Sequence, residues 1–409
     1  MSLLSLQAEI RKEFDVKIAL PELFNMTTLE SLAMRLQNAK AGVGAAADTA
    51  LQNDVVDWTA ETAVANDTIL NAQSASNKQS KTGRLLIIIL TGSTGFLGRH
   101  LARDLVACGA IAQVHCVAVR DPTAQPARSL QALSPKIHIH AGDLVQTNLG
   151  MTETALKDLV STADALIHNG ADVSFMKPYA ALRPPNVNAT KYLAHLLAGR
   201  NIPFHYISTA GVGALTGRDV LDETSLSAHP PTAPGIDGYV ASKWTSEVYL
   251  ENVNRATGSP VRIYRPSSIT GAGAPALDVM HNMLRYSREM RASPRLDGWS
   301  GAFDLIDVNT VARQIVGGVL GWGQGRLTPA ATEPVEFVHV SGERVVPVGK
   351  VKGFLERETR EKFEELELRE WAERATTLGL HELVRTYLGG LAEAGTKPAL
   401  PRVAGRLRV

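Results

Sequence analysis

Tyr239 and Lys243 lie one turn apart in Gly238-Tyr239-Val240-Ala241-Ser242-Lys243, so on a helix the phenol and the ammonium share a face. An ammonium beside a phenol favours the phenolate and is expected to pull the tyrosine below its reference value of about 10. That would make Tyr239 a usable acid near neutral pH. Such a pair is common by chance and gains meaning from its company. The strand-like Phe204-His205-Tyr206-Ile207-Ser208 runs into Thr209 and places a hydroxyl at a strand end, with Ser208 the rival for that role. Further upstream the aliphatic run Leu85–Leu90 leads into Thr91-Gly92-Ser93-Thr94-Gly95-Phe96-Leu97-Gly98. Glycines in that turn, between a strand and a helix, allow the backbone to approach a pyrophosphate that the helix's free N–H groups face. In this order the three features point to a dinucleotide beyond a sheet edge, with a hydroxyl and a phenol beside it.

Positioning those groups requires alternating strands and helices. Strand patterns at 85–91, 114–119, 137–140, 165–168, 204–208 and 261–264 are separated by helical patterns at 99–108, 153–160, 187–198 and 238–255. This predicts an α/β fold, a Rossmann-like doubly wound parallel sheet. The first run is too short for a membrane span and reads as a strand buried on both faces. The second pattern ends at Arg120, where such folds read the adenosine ribose. Arginine there suits a 2′-phosphate, hence NADP(H), although Asp121 stands beside it. Asp143, in Gly142-Asp143-Leu144, is either an acceptor for the adenine amino group or a turn residue. Beyond Arg265 the alternation loosens. Residues 276–290 suggest a helix whose Met280, Met283 and Met290 fill a core or floor an adaptable pocket. Residues 335–340 suggest a late strand, and 350–394 a helical stretch whose charges read as a solvated face.

The 409 residues are 44% hydrophobic and 20% charged, with a formal net charge of +1. That suffices for a large core and more than one unit, without the bias of a nucleic-acid or anionic-membrane binder. The two cysteines, Cys108 and Cys116, have no metal-ligand spacing and read as small hydrophobes in a reducing compartment. With no signal-peptide pattern and no apolar run of membrane length, the expected location is cytoplasmic. Leu3, Leu6, Ile10 and Phe14 mark an amphipathic helix, and Thr28 is a candidate cap for a second. Residues 39–83 have linker composition, within which Val55-Val56-Asp57-Trp58 is an apolar island expected to be pinned to a neighbouring surface.

The stretches LTGSTGFLGRHL, VHCVAVR, AGDL, IHNGADVSFM, LRPPNVNATKYL, YISTAG, GYVASK, YRPSSITG and FDLIDV together resemble the extended short-chain dehydrogenase/reductases. More narrowly, residues 84–409 are similar to terminal thioester reductase domains of nonribosomal peptide synthetases and polyketide–peptide hybrids. The run IRKEFDVKIALPELFNMTTLESLAMRL resembles the C-terminal half of a carrier-protein domain. In that family the phosphopantetheine-bearing serine would fall just upstream of Met1, and Ser2 is out of register, so the carrier fragment is expected to be truncated and not loadable. The resemblance divides the chain into a carrier fragment (1–38), a linker (39–83), an NADP(H)-binding Rossmann-like domain (84–271) and a smaller, mainly helical substrate subdomain (272–409), of which 303–340 return to the core.

Carried over by position, the resemblance implies Thr209, Tyr239 and Lys243 as the catalytic trio, with Lys243 also on the cofactor. Gly92, Gly95 and Gly98 would hold the pyrophosphate and Arg120 the 2′-phosphate, with Thr91, Thr94, Phe96 and Leu97 also on the cofactor. Asp143, Leu144, Asn169, Pro266 and Ser268 would complete the cofactor site, the last two on the nicotinamide side. Asn186 resembles an asparagine that supports the sheet near the site, or else caps a helix. His168 is expected to pack at a strand end rather than act as a base, and no metal is implied. The implied reaction is NADPH-dependent release of a peptidyl or polyketidyl thioester as an aldehyde, or as an alcohol after a second reduction. The substrate would arrive on the pantetheine arm of an upstream carrier. The alternative is a redox-inactive Dieckmann-type cyclase that releases a tetramic acid, which the intact Tyr–Lys pair and glycine turn argue against. The carrier fragment opposes a nucleotide-sugar epimerase or dehydratase, and the retained trio opposes a docking module. The domain is expected to be monomeric, without nucleic-acid or membrane partners.

Overall fold

Alternation within the first strand decides the architecture. In β1 (Leu86–Thr91), Ile88 and Leu90 join one apolar cluster and Ile89 the other, all three buried. A strand buried on both faces needs helices on both, and a parallel sheet supplies them through its crossovers. The strands β2 (Ile111–Val119), β3 (Ile137–Ala141), β4 (Ala165–His168), β5 (Phe204–Ile207), β6 (Val261–Pro266) and β7 (Glu336–Val340) join β1 in the order β7-β6-β5-β4-β1-β2-β3. Every neighbouring pair is parallel. One face is covered by α1 (Phe96–Ala107), α2 (Gln125–Leu133) and, later in the chain, α6 (Val308–Gly323). The other carries α3 (Glu153–Thr162), α4 (Ala189–Leu197) and α5 (Gly238–Thr257). This is the expected doubly wound sheet. The computed structural model describes residues 3–16, 18, 23, 29–40, 56–74, 84–200, 202–232, 237–323, 335–393, 399–400 and 402–403.

Several elements differ from the sequence reading. The helix expected over 187–198 begins earlier, as a π-helical turn, Arg183–Asn188, ahead of α4. Pro184 and Pro185 lack the N–H groups a regular turn needs, and the turn widens. The stretch 350–394 is not one helical run. Arg360, at φ 60°, ends the helix Val351–Thr359, and Glu364–Leu366 forms a strand beside Ala292–Pro294 before the helices Leu368–Thr377 and Glu382–Glu393. Its charges stay solvated, and part of them also pair across elements at the surface, as in Arg288–Glu358, Arg374–Glu364 and Arg295–Glu367. Helix α6 was not anticipated, although Val308, Val311, Ala312, Ile315 and Val319 keep a helical period on its buried side. The C-terminal part has its own core around Trp371, whose Nε1 donates to the Ser287 hydroxyl (3.2 Å) and the Ala292 carbonyl (3.0 Å). Met283 and Met290 are buried there as core filling, whereas Met280 lies at its margin. Cys116 is buried, which pushes its thiol up to about 11 and leaves it unreactive.

At the N-terminus the helices Leu3–Phe14 and Leu29–Lys40 share a small cluster around Ile10, Val16, Ile18 and Leu23. Ser2 and residues 41–55 and 75–83 of the linker lie outside the described residues. The rest of the linker is docked. Asp57 caps the helix Trp58–Thr62, and the Trp58 ring meets Tyr179 edge-on at 5.0 Å and Trp244 at 5.8 Å. Burial alone would raise the Glu61 carboxyl, but hydrogen bonds from Arg183 and Tyr179 hold it below its ordinary range. Asn252 donates to the Thr62 carbonyl at 2.8 Å, and Asn71 to the His195 carbonyl at 2.6 Å. The segment is thus fixed to α4 and α5. Trp58→Ala is expected to lower the unfolding free energy by about 2 kcal/mol in urea denaturation of the full chain; an unchanged midpoint would mean the segment merely rests on the surface.

Candidate active site

Because all seven strands of the main sheet run the same way, their C-terminal ends collect at one edge. The strand order reverses between β1 and β4, where such sheets leave a crevice. Gly92 stands there at φ +65°, and a Cβ on it would come within 2.6 Å of the Gly170 Cα. A Cβ on Gly98 would collide with the Gly92 carbonyl, so only glycine lets α1 start this close to β1. Asn169 Nδ2 donates to the Gly92 carbonyl (3.1 Å) and the Gly170 N–H to the Thr91 hydroxyl (2.8 Å), which ties the two loops together. Gly95 begins α1 with no side-chain cap, leaving its first N–H groups available. Thr94 is half-buried in the turn, and Phe96 packs edge-on against His100. Leu97 is buried in the core, so only its backbone faces the crevice, while Leu144 is half-buried.

Beneath the crevice, His168 accepts from Thr91 through Nδ1 (2.8 Å) and meets Thr190 through Nε2 (3.1 Å). Thr91 accepts from Gly170, and Thr190 donates to the Asn186 carbonyl at 2.6 Å, which fixes the imidazole proton on Nε2. Burial, reinforced by Lys243, lowers His168 to about 3, so it stays neutral and structural. Asn186 is likewise buried. Its amide donates to the Asp172 carbonyl (2.9 Å) and the Ser242 hydroxyl (3.0 Å), and its Oδ1 accepts from the Asp172 N–H (2.8 Å). It therefore joins the loop after β4 to α5 rather than capping a helix.

At the end of β2 the Arg120 side chain is 72% exposed and pairs with Asp143 at 2.6 Å. Asp143 also caps its own turn by accepting from the Val145 N–H at 3.1 Å. Asp121, exposed as well, accepts from the Thr123 hydroxyl, Thr123 N–H and Ala124 N–H and so is engaged within its own turn.

The hydroxyl, phenol and ammonium come together across β5 and α5. Lys243 is 2% exposed, and its Nζ donates to the Ile207 carbonyl at 2.7 Å, two residues before Thr209. The same nitrogen lies 5.7 Å from the Tyr239 ring centroid and 4.8 Å from that of Tyr206. Thr209 is half-buried, and its oxygen accepts from the Gly211 N–H at 3.1 Å, which leaves its proton for another acceptor. Ser208 is buried, with its N–H bonded to the Tyr264 carbonyl. Pro266 is buried opposite Val340, and Ser268 donates to the Met280 sulfur at 3.3 Å where the chain leaves the sheet. The expected depression of the tyrosine is reversed. Burial first, then the Asp237 carboxylate, push the Tyr239 phenol up, and burial lowers the Lys243 ammonium to about 7 despite Glu247. Desolvation of both groups outweighs the attraction between them. Below Lys243, Glu247 and Arg265 form a fully buried pair joined by contacts of 3.1 and 2.7 Å. No pattern in the sequence marked it, because its members sit on separate elements.

These residues fit a dinucleotide: the α1 terminus is uncapped, no side chain can fill the Gly92–Gly98 cradle, and the buried Ser208 and Ser267 hydroxyls along the same edge have no hydrogen-bond partner. Among the described residues no cluster could hold a metal ion and no helix is long and apolar enough to cross a membrane. Fold and site define a Rossmann-type domain of the short-chain dehydrogenase/reductase kind. The NAD-binding family described as male sterility protein matches residues 90–315, and the chain belongs to that family. It is 45% identical, over its whole length, to a polyketide synthase–nonribosomal peptide synthetase hybrid, himA, of Aspergillus japonicus, and spans 11% of that relative's length. The terminal R domain from the myxalamid hybrid pathway superposes with a TM-score of 0.65 at 26% identity, over 82% of this chain and 84% of that one. An archaeal thiolation–reductase di-domain shares the fold at 16% identity and a TM-score of 0.55, over 95% of this chain and 80% of that one.

Unfolded chain holds the Lys243 proton to about pH 10, whereas folded chain releases it near 7. Between those values the unfolded state binds more protons, so Lys243 makes stability rise with pH, by at most ~1.4 kcal/mol per unit. The difference in urea stability between wild type and Lys243→Met should shift in favour of wild type from pH 7 to 9; a flat difference would mean the ammonium stays charged. Glu247→Gln strands Arg265 and is expected to cost about 3–5 kcal/mol in the same measurement.

Proposed function

We propose that this domain releases an acyl chain from the pantetheine thioester of an upstream carrier by NADPH-dependent reduction to an aldehyde. The observation that carries the reading is Lys243, buried between the Tyr239 ring and the carbonyl two residues before Thr209, on the same sheet edge as the glycine cradle. The synthetase relatives support a carrier-bound thioester as the substrate. The paired N-terminal helices support reading 1–38 as half of a carrier domain and 39–83 as its linker, followed by nucleotide-binding (84–271) and substrate-binding (272–409) parts.

NADPH, when bound, supplies the hydride that converts the thioester to aldehyde and thiol. Gly92, Gly95, Gly98 and the first turn of α1 hold the pyrophosphate. Arg120 takes the 2′-phosphate in exchange for Asp143, which its exposure allows. Asn169 holds the glycine turn through the Gly92 carbonyl, and Pro266 and Ser268 border the nicotinamide side. Thr209, whose oxygen already accepts from Gly211, donates a hydrogen bond to the thioester carbonyl oxygen, whose negative charge then expels the pantetheine thiolate as the aldehyde forms. Tyr239, kept a neutral phenol by its surroundings, donates to the same oxygen, and together they stabilise the negative charge that develops there. Lys243 orients the cofactor ribose and the phenol.

The test mixes the full chain with NADPH and a short acyl-aminoacyl pantetheine thioester, following nicotinamide absorbance and identifying products by mass. Thioester-dependent NADPH loss with aldehyde or alcohol is expected, lowered by about 100-fold or more in Tyr239→Phe. Arg120→Ala should raise the KM for NADPH about tenfold and leave that for NADH unchanged. Free thiol with a cyclic product and no NADPH loss would replace the reductase with a Dieckmann-type cyclase; no thiol release would refute both.

A further inference from the structure

The loop after β4 carries a phenylalanine that meets a tyrosine from the far end of the chain. Phe175 and Tyr387 pack edge to face, with centroids 4.8 Å apart and planes at 67°. Each belongs to a firmly held unit. The Phe175 loop is bonded to α5 through Asn186, and Lys177 closes it on Asp172 at 2.7 Å. Its Lys177 carbonyl lies so close to Gly238, the residue before Tyr239, that any side chain there would collide. Tyr387 stands on the helix Glu382–Glu393, whose Val384 and Leu388 are fully buried in the C-terminal core. Tyr387 thus meets, through Phe175, the loop that packs against the residue before Tyr239.

We infer that Phe175 and Tyr387 form an aromatic clasp that walls the acyl end of the cleft and selects thioesters with a bulky apolar acyl chain. This rests on the proposed thioester chemistry. The clasp joins the C-terminal core to the loop whose Lys177 carbonyl abuts Gly238 at the start of α5. The clasp offers two aromatic rings, and Val173, two residues before Phe175 in the same loop, is 61% exposed. The nearby charges, Lys177 and Asp172, neutralise each other. An apolar chain gains by covering these groups, whereas a charged one loses its hydration with no partner in return.

The test measures binding of two unreactive pantetheine thioethers to the full chain, one carrying an ethyl group and one a long branched alkyl chain. Wild type should bind the long-chain ligand about 10-fold tighter or more. Phe175→Ala and Tyr387→Ala should each lose about 3- to 10-fold on that ligand, and the double variant no more than either single one. Affinity for the ethyl ligand and for NADPH should not move, which also shows that the variants are folded. Tyr387→Phe, which keeps the ring, should stay within about twofold of wild type. If Phe175→Ala does not fold, Phe175→Leu keeps the volume without the aromatic edge and should lose about twofold on the long-chain ligand alone. Equal losses on both ligands, additive losses in the double variant, or a wild type with no preference would overturn the clasp. NADPH turnover is scored separately: a protein that consumes no NADPH yet keeps a ring-dependent preference has lost the reductase reading and retained the clasp.

Discussion

Glu247 and Arg265, both fully buried, constrain the centre of this molecule. Burying two charges is expensive, and the expense is offset only while each satisfies the other and nothing shifts. Arg265 sits in β6, donates also to the Thr224 carbonyl at 2.9 Å and lies over the Phe337 ring of β7 at 4.5 Å. Glu247 sits on α5, one turn beyond Lys243 and two beyond Tyr239. Sliding or rotating α5 by one register would strand both charges in the core. The pair contributes geometric definition more than stability: it fixes the helix bearing phenol and ammonium relative to the strand ends.

A second polar layer serves the same end without charge. The run Gly170–Thr91–His168–Thr190–Asn186 passes from the glycine turn under the crevice to Ser242 on α5. A satisfied network of this kind admits few alternative arrangements, whereas an apolar layer of the same volume would tolerate several. The neutral His168 at its middle can keep one fixed tautomer because it does not titrate in the ordinary range.

The glycine turn, the strand-end hydroxyl and the Tyr–Lys pair were legible in the sequence because each is local, and a parallel sheet brings local signals at strand ends to one edge. The alternation that defines the sheet was legible for the same reason. The direction in which Tyr239 titrates was not, since burial depends on what packs around α5, and spacing shows only the neighbouring ammonium. The hand-off of Arg120 to Asp143 joins the ends of two strands, and only the sheet pairs them. Helix α6 kept its period, but Gly317, Gly318, Gly321 and Gly323 obscured it. Beyond Arg265, the strands Ser268–Thr270, Ser300–Asp307 and Arg344–Pro347 find partners far away in the chain, and a short run carries no mark of a distant partner. Phe175 and Tyr387 are an extreme case, ordinary residues until the two cores meet. Trp58 is the opposite one, a large ring in a small-residue linker that announces its own docking.

That docking alters how anything tethered upstream would search for the site. With Trp58 held between Tyr179 and Trp244, Thr62 bonded by Asn252 and Asn71 bonded to His195, residues 56–74 are anchored on α4 and α5 rather than only at the start of β1. The reach of any tethered group depends on the chain between it and the domain surface, so each residue taken up by docking shortens that span and raises the effective concentration at which the group meets the domain. In that sense the segment 56–74 acts as a spool, setting how much line is let out.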